Sequence, residues 1–200
     1  MMWPELAERL EGSRVVLEPV EPRHRELLWE AAQDPATWRI TSADVGGSRE
    51  AFGLYWKQMR DASAAGHEVP FATIDRARGR VVGSTRFLTL RPEHRGVEIG
   101  HTWLRSDVWQ TGINVEAKLL MLKHAFERCG CMRVEFKTDE RNERSRKAME
   151  ALPARFEGIF RKHMLVRDGD VRNSAYYAIV DDDWPDVRAN LERRLAKKRG

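Results

Sequence analysis

The residues best suited to chemistry fall between Val97 and Arg128. Val97–Leu104 is rich in β-branched and aromatic residues and reads as a strand, with Val97, Ile99 and Trp103 on one side. Glu98 and His101 lie on it, and a carboxylate and an imidazole are the usual carriers of a proton near neutral pH. Simple alternation puts His101 on the face opposite Glu98; a bulge between them would realign it, and a buried, hydrogen-bonded structural histidine is the alternative. The strand is followed by Trp109-Gln110-Thr111-Gly112-Ile113-Asn114 and a strongly apolar helix, Asn114–Arg128. A glycine turn that opens a helix after a strand exposes unpaired backbone N–H groups at the positive end of the helix dipole, where phosphates bind. Gly112 by itself is equally compatible with an ordinary loop. Neither G-x-x-x-x-G-K-[ST] nor a G-x-G-x-x-G after a strand is present.

The rest of the chain must hold this segment in place. Pro4–Leu10 reads as a short helix and Arg14–Glu18 as a strand. Helices follow from Pro22 to Gln33 and from the N-cap Ser48 to the stop at Gly66, with a turn-rich Asp34–Gly47 between them. Val69–Asp75 and Arg80–Leu90 read as a hairpin. Arg133–Thr138 alternates cleanly as a strand, and Asn142–Leu152 reads as a short helix. Arg155–Val166 and Val171–Val180 form a second hairpin across Asp168-Gly169-Asp170, and a helix from Trp184 to about Ala196 is capped by one of Asp181–Asp183. The order predicts an α/β (α+β) fold: a mixed, mostly antiparallel sheet of about seven strands with flanking helices, not doubly wound.

At 200 residues the chain is expected to be one domain, long enough to bury a core without disulfides or metals. No run of about 18 apolar residues is present, and Pro4, Glu5, Glu8, Arg9 and Glu11 interrupt any secretory segment, so a cytoplasmic protein is expected. The net charge of +4 comes from well-mixed residues, which suits an anionic ligand such as a nucleotide better than nucleic acid. The basic tail Arg193–Arg199 reads as a solvated helix end. Cys129 and Cys131 are too few for a closed zinc site, so no metal is predicted and the pair reads as packed and reduced.

The residues Glu98-Ile99-Gly100-His101-Thr102-Trp103-Leu104, followed by Trp109-Gln110-Thr111-Gly112-Ile113-Asn114-Val115-Glu116-Ala117-Lys118, resemble a GNAT acetyltransferase of the RimJ/RimL-like branch. Arg133–Thr138, Asn142-Glu143-Arg144-Ser145 and Phe156-Glu157-Gly158 continue the resemblance, which runs from about Arg14 to Leu195. It implies acetyl-CoA as co-substrate and a splayed central strand. His101, Thr102, Trp103 and Leu104 would then pair with the pantetheine arm, and a backbone N–H there would face the acetyl carbonyl. Gln110, Thr111, Gly112, Ile113 and Asn114 would wrap the pyrophosphate. The family loop is Q/R-x-x-G-x-G/A; here Trp109 stands first and Asn114 sixth, and only Gly112 matches. The resemblance gives Asn142 to the pantetheine or to the helix it enters, and places Arg141, Arg144 and Arg146 within reach of the 3′-phosphate, solvated arginines being the alternative.

Acetyl transfer to an amine needs a neutral nucleophile, a donor to the forming oxyanion and a proton for the departing thiolate. An α-amino group titrates near ~7.7–8.0 and a lysine near ~10.4, so only the latter demands a strong base. Glu98 is the candidate base, its alternative being a strand carboxylate paired with an arginine. Ser145 is the candidate acid, since the helix after Asn142 carries no tyrosine; Tyr176 or Tyr177 could replace it. Trp38, Trp56, Phe71 and the Asp34–Gly47 loop are candidate acceptor walls, each equally a core residue by type, and Glu157 or Asp170 could attract a cationic acceptor. The expected function is N-acetylation of a protein N-terminus or a small-molecule amine, with a homodimer possible. The alternative is a catalytically inactive CoA-binding regulatory protein.

Overall fold

The structure is a computed structural model that describes residues 3–39, 45–166 and 169–198. Among the described residues eight strands form one sheet: β1 (Leu10–Glu11), β2 (Val15–Pro19), β3 (Val69–Asp75), β4 (Arg80–Arg91), β5 (Gly96–Leu104), β6 (Arg133–Asp139), β7 (Arg155–Leu165) and β8 (Val171–Val180). Their order is β1-β2-β3-β4-β5-β6-β8-β7. Only β5 and β6 run parallel, because the chain between them crosses over through a helix rather than a turn. The eighth strand is β1, a two-residue ladder closed against β2, too short to show alternation in the sequence. It takes the last residue of the helix expected over 4–10, of which one 3-10 turn, Pro4–Ala7, forms.

Helices cover both faces. On one lie α1 (His24–Ala32), the short α2 (Pro35–Trp38) and α3 (Arg49–Ala64), around a core of Leu28, Phe52, Met59, Ala72 and Trp103. On the other lie α4 (Ile113–Lys123), α5 (Glu143–Glu150) and α6 (Trp184–Ala196), around Val97, Ile99, Met121, Phe136, Tyr177 and Leu191. Local chemistry sets several ends. Ser48 Oγ accepts from Ala51 N at 3.0 Å, and Asn142 Oδ1 accepts from Ser145 N at 3.0 Å. Asp34 caps α2, a turn inside the stretch that shows no pattern in the sequence, and its second oxygen accepts from Ser106 N at 2.5 Å. Asp183 sits at the N-cap position of α6 without a side-chain capping bond, because a 3-10 turn, Asp181–Asp183, leads the chain in instead. After Lys123, α4 widens into a π turn over His124–Arg128. Residues 40–44 of the expected loop and Asp168 of the expected hairpin turn lie outside the described residues.

Two irregularities of β5 matter most. Its pairing with β6 covers only Gly96↔Arg133, Val97↔Val134 and Glu98↔Glu135, after which the two strands part. β5 continues to Leu104 along β4, and β6 continues to Asp139 along β8. The second irregularity is a bulge: Ser84 faces Trp103 and Arg86 faces Gly100, so His101 and Thr102 together oppose Thr85. His101 takes up the extra residue with φ +46°. The bulge reverses the alternation, so Trp103 packs with the α1–α3 core, opposite Val97 and Ile99 and not beside them as simple alternation predicted.

Candidate active site

Glu98 stands where β5 and β6 part. It is 3% exposed, and its Oε2 accepts from Lys137 Nζ at 3.0 Å and from Thr89 Oγ1 at 3.1 Å. Its partner is thus a lysine from the neighbouring strand, not the arginine weighed as the alternative. Gly100 makes room for it: a Cβ there would lie 3.0 Å from Glu98 Oε1 and 2.8 Å from Leu88 Cδ1. The carboxylate lines a cleft of about 390 Å³ together with Thr89, Glu135, Lys137, His163 and Tyr176. Tyr176 Oη and His163 Nε2 are 3.2 Å apart, and His163 Nδ1 meets the buried Ser174 Oγ at 2.9 Å. Burial pushes the Tyr176 phenol up and the His163 imidazole down, so both are held neutral at physiological pH. Lys137, His163 and Thr89 escaped the sequence reading because three separate strands bring them to Glu98.

The bulge turns His101 to the face where Glu98 lies. The residue is exposed, yet the atoms packed around it desolvate the ring, and this together with Arg86, Lys137 and Arg172 lowers its pKa to about 4. No hydrogen bond holds the ring among the described residues, so the expectation of a buried, hydrogen-bonded histidine is corrected. Thr102 is exposed and points to the α4 side, where Lys118 meets it. Trp103 Nε1 donates to Tyr55 Oη at 3.1 Å, and its ring packs 5.2 Å from that of Trp38. The Leu104 carbonyl accepts from Thr37 Oγ1 and from Trp109 Nε1 at 2.9 Å. Phe71, an expected acceptor wall, is fully buried in the core on the α4 face.

The turn before α4 is shaped by two residues in the left-handed region, Gln110 at φ +64° and Gly112 at φ +97°. Lys198 Nζ donates to the Gln110 carbonyl at 2.5 Å and Arg14 to the Thr111 carbonyl at 3.2 Å, so the carbonyls are held from one side. Among the described residues no backbone acceptor meets the N–H groups of Gln110, Gly112, Asn114 and Val115; Ile113 N has only a long 3.5 Å contact to Thr111 Oγ1. Donors left in this way at a helix N-terminus fit an anion such as a pyrophosphate. Glu116, one turn into α4, fixes this end of the helix: its carboxylate accepts from Ser13 N and Oγ, Arg14 N and Val15 N.

The first turn of α5 meets the turn before α4. Arg144 stacks on the Trp109 ring 3.7 Å from its centre, which joins α5 to the turn before α4. Ser145 lies in that turn with its N–H on Asn142. Arg146 is turned toward Tyr177 Oη and the Glu140 carbonyl, and Arg141 toward Asp139 and Asp170. Glu157 is held by both arms of Arg133. The two carboxylates expected to draw a cationic acceptor, Glu157 and Asp170, thus already carry arginine partners. Among the described residues no group of three His, Cys, Asp or Glu side chains could hold a metal ion, and no helix is long and apolar enough to cross a membrane.

Comparison with known proteins gives the chain a family. The acetyltransferase (GNAT) domain model matches residues 14–155. The uncharacterized N-acetyltransferase p20 of Bacillus licheniformis is 24% identical over 160 residues, which cover 78% of this chain and 87% of that protein. An acetyltransferase structure from T. thermophilus superposes with a TM-score of 0.82 at 36% identity, over 94% of this chain and 97% of that one. Mycobacterium smegmatis RimJ in complex with CoA-disulfide shares the fold at 21% identity, with a TM-score of 0.76 over 94% and 95% of the two chains. The family model spans well over half of the sequence, and the chain belongs to the GNAT family of acetyltransferases.

Proposed function

We propose that this GNAT acetyltransferase is an acetyl-CoA-dependent N-acetyltransferase of the RimJ/RimL-like branch, acting on a primary amine by direct attack with both substrates bound. The observation that carries the reading is the separation of β5 from β6 just past Glu98, with the open amides of the α4 turn at the same side of the sheet. Acetyl-CoA supplies a thioester-activated acetyl group. The open amides between Gln110 and Asn114 would hold its pyrophosphate, the edge of β5 from His101 to Leu104, which has left β6 and of which the Leu104 carbonyl is already taken, would hydrogen-bond its pantetheine arm, and Asn142 would set the helix beside it. Arg144, and Arg146 once released from Tyr177, supply positive charge toward the 3′-phosphate.

The acceptor amine enters the cleft on the Glu98 side. Glu98 takes a proton from the amine directly or through water, the N–C bond forms as the C–S bond breaks, and the thiolate takes a proton from Ser145 or from solvent. Crowding around Glu98 orients its carboxylate: Thr89 and Lys137 hold one oxygen and Gly100 leaves space for the other. The acceptor is a protein N-terminus or a small amine. A fold neighbour from Vibrio cholerae described as a ribosomal-protein-serine acetyltransferase favours a protein acceptor by analogy.

Thermal unfolding with acetyl-CoA, desulfo-CoA and ATP tests the donor. At about one hundred times Kd a ligand adds ~2.7 kcal/mol, a rise of roughly 5–10 °C for a chain of this size. A rise with acetyl-CoA but not with ATP supports the reading, and a panel of peptide and small amines then identifies the acceptor. No shift at millimolar acetyl-CoA overturns it.

A further inference from the structure

Lys118 is a buried amine with two hydroxyls and, among the described residues, no carboxylate beside it. It lies on α4 and is 7% exposed. Nζ donates to Thr102 Oγ1 at 2.6 Å and to Thr85 Oγ1 at 3.3 Å, and the two hydroxyls are 2.8 Å apart. Met121 Sδ closes the cluster at 3.6 Å from Thr85 Oγ1. Burial alone pushes the Lys118 pKa down to about 7. An unpaired ammonium costs stability where an apolar side chain of equal length would not, so a stability argument alone gives no reason for lysine here.

The cluster sits at the β5 bulge. Thr85 is the β4 residue opposed by both His101 and Thr102, and Lys118 reaches up from α4 to join the two strands there. A left-handed, non-glycine residue such as His101 persists only where its surroundings over-determine it. A one-residue change of register reverses which side chains and backbone groups face each way. The bulge therefore decides which amides of the unpaired stretch of β5 are offered to the opening. Thr102 is exposed on that stretch, whereas Lys118 is buried behind it.

We propose that Lys118 is a positioning residue for the acyl donor: through Thr102 and Thr85 it pins the bulge that sets the donor-binding edge of β5. This rests on the reading of acetyl-CoA as donor. Lys118→Met is the test, since it keeps length and removes the charge. The expected result is an unfolding temperature equal to or above that of the wild type, together with at least a tenfold rise in KM for acetyl-CoA. The KM for the acceptor and kcat at saturating donor stay within about threefold. Thr85→Val is expected to act in the same direction, and the double variant to be no worse than twice the Lys118→Met value, because both changes release one pin. A KM for acetyl-CoA within twofold of wild type in Lys118→Met overturns the proposal. So does a parallel loss of unfolding temperature and of every kinetic parameter, the mark of a merely structural residue. A wild-type protein indifferent to acetyl-CoA overturns the donor reading and this proposal together, whereas unaffected variants of a donor-binding wild type overturn the pin alone.

Discussion

Lys137 Nζ donates to Glu98 Oε2 at 3.0 Å across the point where β5 and β6 part. The two residues share one face of the sheet because Glu98 pairs with Glu135, two residues before Lys137 on β6. The bond leaves Glu98 Oε1 as the oxygen available to an incoming amine. Glu98→Gln keeps the shape and removes the base. It is expected to lower kcat by about 10²–10⁴, the usual worth of a positioned general base, with KM for acetyl-CoA unchanged. Steady-state kinetics with a lysine-like amine checks this; a kcat within threefold of wild type would falsify the assignment.

His101 gives a pH prediction. Its folded pKa, about 4, lies below its ordinary value of 6.5. Between these values the unfolded chain binds a proton that the folded chain does not, so this residue makes stability rise with pH across that window and fall on acidification. His101→Gln removes the effect, and the acid unfolding midpoint is expected to move lower. In an NMR titration the His101 ring resonance should stay flat from pH 7.5 to 5.5 and move only toward pH 4; a midpoint near 6.5 sinks the prediction.

Glu116 is expected to matter to the fold more than to chemistry. Glu116→Ala leaves the backbone N–H groups of Ser13, Arg14 and Val15 without their acceptor. The loss should be about 3–5 kcal/mol, at ~1–3 kcal/mol for each buried donor left without an acceptor and with water reaching some of them. Calorimetry would then show a fall of roughly 6–20 °C, at ~2–4 °C per kcal/mol for a domain of this size. A fall below about 3 °C would show that β2 and α4 hold together without it.

Gly112→Ala tests the turn before α4. At φ +97° any Cβ is strained, and here it would come within 3.3 Å of Lys198 Cδ and 3.4 Å of Arg14. The expected cost in stability is small, about 1–2 kcal/mol. The KM for acetyl-CoA should rise at least tenfold while the acceptor KM is unmoved. Equal acetyl-CoA affinity in variant and wild type, measured by calorimetric titration, would remove the turn from the donor site.

The sequence by itself determined the elements whose signals are local. Alternation along Arg133–Thr138, the cap Ser48 and the apolar run through α4 each depend on neighbours a few residues away, and each forms as read. So does the strand–turn–helix around Gly112, together with the resemblance that named the family. What only the tertiary structure decided are relations between distant strands. The bulge at His101 is set by pairing with β4, and no local pattern announces it; it alone moves Trp103 to the other face. Lys137, His163 and Tyr176 join Glu98 because β6, β8 and β7 follow β5 in the sheet and line one cleft with it. Lys118 reads in the sequence as one polar residue on an apolar helix. Its role comes from burial against Thr85 and Thr102, from strands more than a dozen residues away, where a desolvated charge must find a hydroxyl.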